Sequence, residues 1–153
     1  MSNSLDQTYL QTLFELKTKI QTSQIKAAMS VNTQMIFLYW EIGKTILDRQ
    51  VMAGWGSKIV DTLSKDLSKS FPDMKGFSPR NLKHMRRFAE TYPDLEIVKQ
   101  VVSQIPWGHN IVLLNKLETI EKRLWYAEQT KINGWSRNIL TIQIETNFYH
   151  QQA

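Results

Sequence analysis

The segment from Ser78 to Tyr92 most restricts how this chain can fold, because residues at both of its ends mark a helix boundary. Ser78 is a favourable N-cap, since its hydroxyl can accept a hydrogen bond from a free amide of the first turn. Pro79 fits the first helical position, where no backbone amide is needed, and Pro93 ends the helix. The sequence therefore predicts a helix over these residues.

This predicted helix has one apolar face and one cationic face. At about 100° per residue, the apolar face consists of Leu82, Met85, Phe88, Ala89 and Tyr92, and the opposite face consists of Arg80, Lys83, His84, Arg87 and Thr91. Taken alone, such a pattern is typical of an ordinary amphipathic helix whose basic face is solvated.

A second amphipathic segment precedes this helix and favours a different interpretation of its basic face. Between Gly56 and Phe71, apolar residues recur at helical spacing, and residues 71–77 form a turn. A helix, a turn and a basic helix are the outline of a helix-turn-helix unit, whose second helix enters the DNA major groove. The connection is longer than the tight turn of the standard motif. We expect a helix-turn-helix-like unit over about residues 56–92.

The net charge of +5 is concentrated in this unit, since residues 55–92 contain eight Lys or Arg and four acidic residues. Charge concentrated on one element is expected of a phosphate-binding surface. We expect double-stranded DNA as the partner, with lysines on phosphates and Arg80 and Arg87 in bidentate contact with guanine. The predicted nucleic-acid-binding residues are Arg80, Lys83, His84, Arg86, Arg87, Lys58, Lys65, Lys69 and Lys75.

The rest of the chain also has helical periodicity. Helices are predicted for Leu5–Ala28, Val31–Arg49, about 94–104, 111–117, 119–132 and the segment that follows Ser136. Val31, Met35, Leu38, Ile42 and Ile46 form a predicted core seam, and Gly43 within that helix suggests close approach by another helix. A strand stays an alternative for the β-branched residues 97–102 and for the last segment. The prediction is one compact all-α domain over residues 1–153.

The inventory of chemical groups gives little support to an enzyme. There is no glycine-rich phosphate loop, no recognisable nucleophile and no cysteine, so we expect no cofactor. Three scattered histidines predict no metal site, and His109 is expected to make a structural hydrogen bond within its turn. Fragments of a nuclease motif at Asp73, Asp94 and Glu96 are incomplete. Without a signal-peptide pattern or a long apolar run, we expect a soluble cytoplasmic protein with no membrane partner.

Several blocks resemble the N-terminal domain, long of unknown function, of the YhcG-like family, whose bacterial proteins are classed as PD-(D/E)XK nucleases. The blocks are Leu38-Tyr-Trp-Glu-Ile-Gly-Lys44, Leu63-Ser-Lys-Asp-Leu67, Gly76-Phe-Ser-Pro-Arg-Asn-Leu82, Met85-Arg-Arg-Phe88, Ile105-Pro-Trp-Gly-His-Asn110, Leu124-Trp-Tyr126 and Asn133-Gly-Trp-Ser136. The resemblance implies a helical part that delivers a separate nuclease domain to nucleic acid or to a partner subunit. We expect that nuclease domain to be absent from residues 1–153.

An alternative function is an oligomerisation or protein-interaction module that positions a nuclease domain or partner subunit. Five tryptophans and an apolar last segment support it, because exposed apolar stripes usually mark partners. The apolar residues of that segment are Ile139, Leu140, Ile142, Ile144, Phe148 and Tyr149. The simpler interpretation is that these residues close the core. A homodimer is compatible with DNA binding, since helix-turn-helix proteins commonly bind as dimers.

Overall fold

The computed structural model describes the backbone of residues 2–152 and the side chains of Gln7 and residues 9–152. These residues form α-helices and one short 3-10 helix, with no β-strand among them. The helices are α1 (Ser2–Ala53), α2 (Ser57–Ser70), α3 (Pro79–Thr91), α4 (Leu95–Gln100), the 3-10 helix (Val102–Gln104), α5 (Trp107–Lys116), α6 (Ile120–Asn133), α7 (Arg137–Glu145) and α8 (Phe148–Gln152). The predicted compact all-α fold is confirmed, and the strand alternatives are excluded.

The first helix is continuous, so the predicted division into Leu5–Ala28 and Val31–Arg49 is wrong. Met29 and Ser30 lie at the predicted break, and neither residue breaks a helix as glycine or proline does. At about 1.5 Å per residue, α1 is roughly 78 Å long. No helix in the described part of the chain is both long and apolar enough to cross a membrane.

The core face of α1 differs from the predicted seam. Ile36, Tyr39, Gly43 and Ile46 are buried, whereas Val31 and Leu38, at 69% and 39% exposed, are not. Met35 and Ile42 are half-buried. Apolar residues surround this half of α1 almost completely, and only the position of the other helices decides which of them are buried.

Helix α3 packs on α1 at Gly43, where the sequence predicted close approach by another helix. A Cβ atom added to Gly43 would overlap the backbone of Met85 and Arg86. The missing side chain lets the two backbones touch, which compensates for the low helix propensity of glycine. The predicted close approach is therefore confirmed.

The boundaries of α3 are also as predicted. Ser78 Oγ accepts a hydrogen bond from the Asn81 amide at 3.1 Å, and the helix ends before Pro93. Leu82, Met85 and Phe88 are fully buried. Burial stabilises the fold by about 1.5–3 kcal/mol for each such side chain, so α3 is fixed firmly by its apolar face.

Polar contacts fix the connection between α2 and α3. The Ser64 hydroxyl donates to the Phe77 carbonyl, and Asn81 Nδ2 donates to the Gly76 carbonyl at 2.7 Å. Trp107 Nε1 of α5 donates to Asn81 Oδ1 at 2.8 Å. Gly76 has a φ of +123°, which favours glycine. Although long, this connection is tied to both flanking helices and to α5.

The second half of the chain differs from the prediction mainly at its boundaries. The helix predicted over 94–104 ends at Gln100 and is followed by the 3-10 helix, and α5 begins at Trp107 rather than Ile111. The predicted left-handed conformation of Gly134 and the Ser136 cap are confirmed. Four of the tryptophans, residues 40, 107, 125 and 135, pack against buried clusters, which favours a structural role for them.

Two arginines satisfy the free carbonyl groups at the end of α5. Arg123, which is buried, donates from Nε to the Leu113 carbonyl at 3.2 Å and from a guanidinium nitrogen to the Leu117 carbonyl. Arg87 donates to the Leu114 carbonyl and, at 2.7 Å, to Asn115 Oδ1. Cations are favourable at a helix C-terminus because of the helix dipole. Arg87 therefore stabilises the fold even though its side chain is exposed.

Candidate nucleic-acid interface

The outer side of α3 carries cationic groups that the buried inner side holds in a fixed orientation. Arg80, Lys83 and Arg87 are exposed, and His84 between them is half-buried. These four residues share one side of the helix, opposite the buried Leu82, Met85, Phe88 and Ala89. The structure thus has the cationic face that the sequence predicted on α3.

The charges of the candidate residues are not neutralised by ion pairs. Within residues 7 and 9–152, the salt bridges join Lys44 to Asp48, Lys99 to Glu96 and Lys116 to Glu145. None of these pairs includes one of the eight candidate lysines and arginines. A basic surface without acidic partners can bind phosphate without first breaking an ion pair.

Arg80, His84 and Arg87 lie close enough to influence one another electrostatically. The pKa of His84 is lowered, first by burial and then by the positive charges of Arg80 and Arg87. Both effects disfavour the protonated imidazole. Burial is the larger cause, and the smaller cause, the positive charges of Arg80 and Arg87, would also favour an anion at this part of α3.

Because the pKa of His84 is lower in the folded chain than in the unfolded chain, the unfolded chain binds more protons between the two values. Stability therefore rises with pH through that window and falls as the pH decreases. We expect His84→Gln to reduce the loss of stability between about pH 7.5 and about pH 5.5, measured by urea denaturation. His150→Gln, at an exposed position in α8, is the control. An unchanged pH dependence in His84→Gln would contradict the assignment.

A small cleft lies beside this face, where α1, α2 and α3 meet. Its volume is about 130 Å³, and its polar lining comes from Lys83, Arg86, Gln50 and Ser57. Arg86 donates to Gln50 Oε1 at 3.3 Å, while its buried Nε has no partner among the described residues. Ser57 is the first residue of α2, whose N-terminus has no side-chain cap. Uncapped helix N-termini favour anions.

The candidate lysines outside α3 are all exposed. Lys58, Lys65 and Lys69 are separated by two turns and one turn, so they share the solvent-facing side of α2, and Lys75 lies in the connection to α3. The structure thus gives a basic strip on α2 and a separate basic face on α3. The cleft lined by Lys83, Arg86 and Ser57 lies where α2 begins.

The sequence did not indicate the polar residues that position these cations. Gln50 holds Arg86, Asn115 and the end of α5 hold Arg87, and Asn81 ties α3 to the connection and to Trp107. For Asn81 there was one indication in the sequence: it stands three residues after the N-cap Ser78, and an N-cap hydroxyl accepts from the amide at that position. Gln50 and Asn115 are far from α3 in sequence and gave none.

Two of the groups considered for catalysis make structural contacts. His109 Nε2 donates to the Trp135 carbonyl at 2.8 Å, so the predicted hydrogen bond within its own turn is wrong, and His109 joins α5 to the segment that follows α6. Asp94 caps α4 by accepting from the Glu96 amide. Residues 7 and 9–152 contain no cluster of His, Asp or Glu suited to a metal ion.

Comparison with known proteins places this architecture in a family. The chain is 26% identical to the protein named "Putative nuclease YhcG" of Escherichia coli (strain K12), over 86% of this chain and 43% of that relative. The chain thus spans less than half the length of this relative. No solved structure matches it significantly. The model of the DUF1016 N-terminal domain matches residues 15–151, and the chain therefore belongs to this family, as an N-terminal domain of the YhcG-like type.

Proposed function

We propose that this chain is a non-catalytic DNA-binding domain that delivers a nuclease domain to its substrate. One observation carries the proposal: α3 presents Arg80 and Lys83, without salt-bridge partners among the described residues, on the side opposite its fully buried face. Such a face can enter a groove without distorting the fold. The uncapped N-terminus of α2 adds backbone amides beside Lys83 and Arg86, where a phosphate oxygen can accept hydrogen bonds.

The residues divide into two roles in this proposal. Arg80, Lys83, His84 and Arg87 face the major groove, with Arg80 the better candidate for bidentate contact to guanine because Arg87 is bonded to α5. Lys58, Lys65, Lys69, Lys75 and Arg86 contact phosphates. The helix-turn-helix-like unit over about residues 56–92 brings both sets to one duplex.

The nuclease part of the proposal rests on the family relationship. The relative's printed name is that of a nuclease, and this chain covers 43% of it. In our proposal the cleavage site belongs to the remainder of such a protein, and the present chain contributes binding.

The test is direct binding of the purified chain to labelled duplex DNA, single-stranded DNA and RNA over a series of salt concentrations. We expect duplex binding to be tightest. The logarithm of the association constant should fall linearly with the logarithm of salt concentration, with a slope of about −0.9 for each phosphate contacted. Absence of binding to all three at about 50 mM salt would refute the proposal, and tighter RNA binding would reassign the ligand.

A second candidate function is protein interaction, and it is favoured by exposed apolar side chains. On α7, Ile139 and Ile142 are 45% and 55% exposed, whereas Leu140 of the same helix is fully buried. The first half of α1 exposes more apolar side chains still. Such surfaces usually mark partners, and a partner-binding role is compatible with DNA binding.

A further inference from the structure

The first half of α1 extends away from the core and is lined with apolar side chains. Every described side chain from Gln7 to Val31 is exposed except that of Leu13, which is half-buried. Tyr9, Leu16, Ile20 and Val31 are 66%, 51%, 58% and 69% exposed. Most of the stability of a helix in a protein comes from packing of an apolar face, so an apolar partner surface would stabilise this segment.

Four of the apolar residues of this half-helix follow a heptad pattern, while Leu10, Phe14, Ile25, Met29 and Val31 lie off it. Tyr9, Leu13, Leu16 and Ile20 are separated by four, three and four residues, and Ser23 and Ala27 continue the same spacing with small side chains. This alternation is that of the a and d positions of a coiled coil. We call residues 9, 13, 16, 20, 23 and 27 the α1 seam.

We propose that the α1 seam joins two copies of this chain as a parallel two-stranded coiled coil. This proposal specifies the protein-interaction function by naming the partner, a second copy of the chain, and the contact segment, the α1 seam. It does not depend on DNA binding. A second copy is favoured over another partner because a heptad seam is complementary to itself.

The size of the seam suits a stable dimer. Residues 9–31 span about 33 Å along the helix. Its four large apolar side chains, at positions 9, 13, 16 and 20, expose on the order of 100 Å² each, and with the stems of flanking lysines one copy can bury on the order of 500 Å². Two copies would together bury on the order of 1,000 Å², which is the area from which specific interfaces begin.

Charge selects the parallel orientation. In a parallel pair, the side chains flanking the seam bring Thr12 beside Lys17 and Lys19 beside Gln24 of the second copy. An antiparallel pair that aligns Leu16 with Ile20 would place Lys17 of the two copies side by side. Like charges would then repel each other.

The fold leaves room for this pairing. On the helical wheel the seam lies opposite Ile36 and Gly43, which face the core of the same copy. Leu38, 39% exposed, continues the apolar surface on the seam side. The remainder of each copy therefore lies on the outer side of its own α1, and the two α1 helices can approach without a clash.

The first experiment measures molecular mass in solution by sedimentation equilibrium from about 1 to 100 μM, across the Kd range expected for an interface of this size. We expect the unmodified chain to form a dimer with twice the 17.9 kDa mass of one chain. Leu16→Glu with Ile20→Glu should shift the mass to that of the monomer. The matched control is Phe14→Glu with Ile25→Glu, which changes two exposed apolar residues of the same helix off the seam, and it should stay dimeric.

The outcomes separate the alternatives. A monomer at 100 μM for the unmodified chain would overturn the proposal, as would a dimer that persists in Leu16→Glu/Ile20→Glu but is lost in Ile139→Glu/Ile142→Glu of α7. Circular dichroism does not distinguish the helices of the core from the half-helix that carries the seam. The urea unfolding midpoint of the monomeric variant therefore verifies that its core is intact. Duplex binding is a separate measurement, and its absence would leave the dimer proposal standing.

The orientation has its own test, because the chain has no cysteine. We expect Tyr9→Cys to form a covalent dimer under mild oxidation, since a parallel pair places the two sulfur atoms in one layer of the seam. An antiparallel pair would separate them by about 27 Å. A dimeric Tyr9→Cys variant that gives no covalent product would overturn the parallel arrangement.

Discussion

Replacing Gly43 with alanine is expected to destabilise the fold by about 3 kcal/mol, the upper end of what overpacking typically costs, although alanine is the better helix former. The added methyl group would overlap the backbone of Met85 and Arg86. Backbone atoms cannot rotate away as a flexible side chain can, so α1 and α3 must separate. That movement loosens the packing of Leu82 and Met85, which are fully buried.

The measurement is the unfolding midpoint in urea or on heating. For a chain of this size, the expected loss corresponds to a decrease of roughly 6–12 °C in Tm. Gly56→Ala is the matched control, because no atom lies within 4 Å of the Cβ it would add. A Gly43→Ala variant as stable as the unmodified chain would show that α1 and α3 are farther apart than described.

The second large effect is expected for DNA binding in the double variant Arg80→Gln/Lys83→Gln. Loss of two groove-facing cations should weaken duplex binding roughly 100-fold at low salt. Because these two cations are assigned to base edges and not to phosphates, the salt slope should change little, whereas the preference among DNA sequences should weaken. Both side chains are exposed and make no side-chain hydrogen bond among the described residues, so the unfolding midpoint should stay nearly unchanged.

Arg87 is omitted from that variant for a structural reason. Its guanidinium group donates to the Leu114 carbonyl and to Asn115, so its removal would destabilise the end of α5 as well as remove a charge. Replacing Arg80 and Arg87 together, as the sequence alone suggests, would confuse the two effects. Lys83 provides the second charge without this difficulty.

The matched control removes two positive charges elsewhere. Lys26→Gln/Lys131→Gln alters exposed residues of α1 and α6 and lowers the net charge by the same amount. If binding weakened equally in both double variants, the effect would come from net charge alone, and the α3 assignment would have to be abandoned.

The candidate site is only partly predictable from sequence, because the cationic face of α3 depends on neighbouring residues whereas the positions of its arginines depend on residues far away in the chain. The cationic face of α3 follows from local spacing between Ser78 and Pro93. The positions of Arg86 and Arg87 follow from Gln50 and Asn115, which other helices bring near. Sequence periodicity says which side of a helix is polar, but it does not say which polar neighbours that side will meet.

For the fold, local sequence was enough to predict the all-helical class, the cap of α3, the end of α6 at Gly134 and the close packing at Gly43, but not the continuity of α1 or the start of α5. The predicted features depend on backbone sterics and on hydrogen bonds within a few residues. Tertiary structure alone decided that Ile36 and Tyr39 are buried while Val31 and Leu38 are exposed. The second half of α1 is apolar nearly all round, so its local pattern has no preferred face, and only the position of α3 against Gly43 selects one.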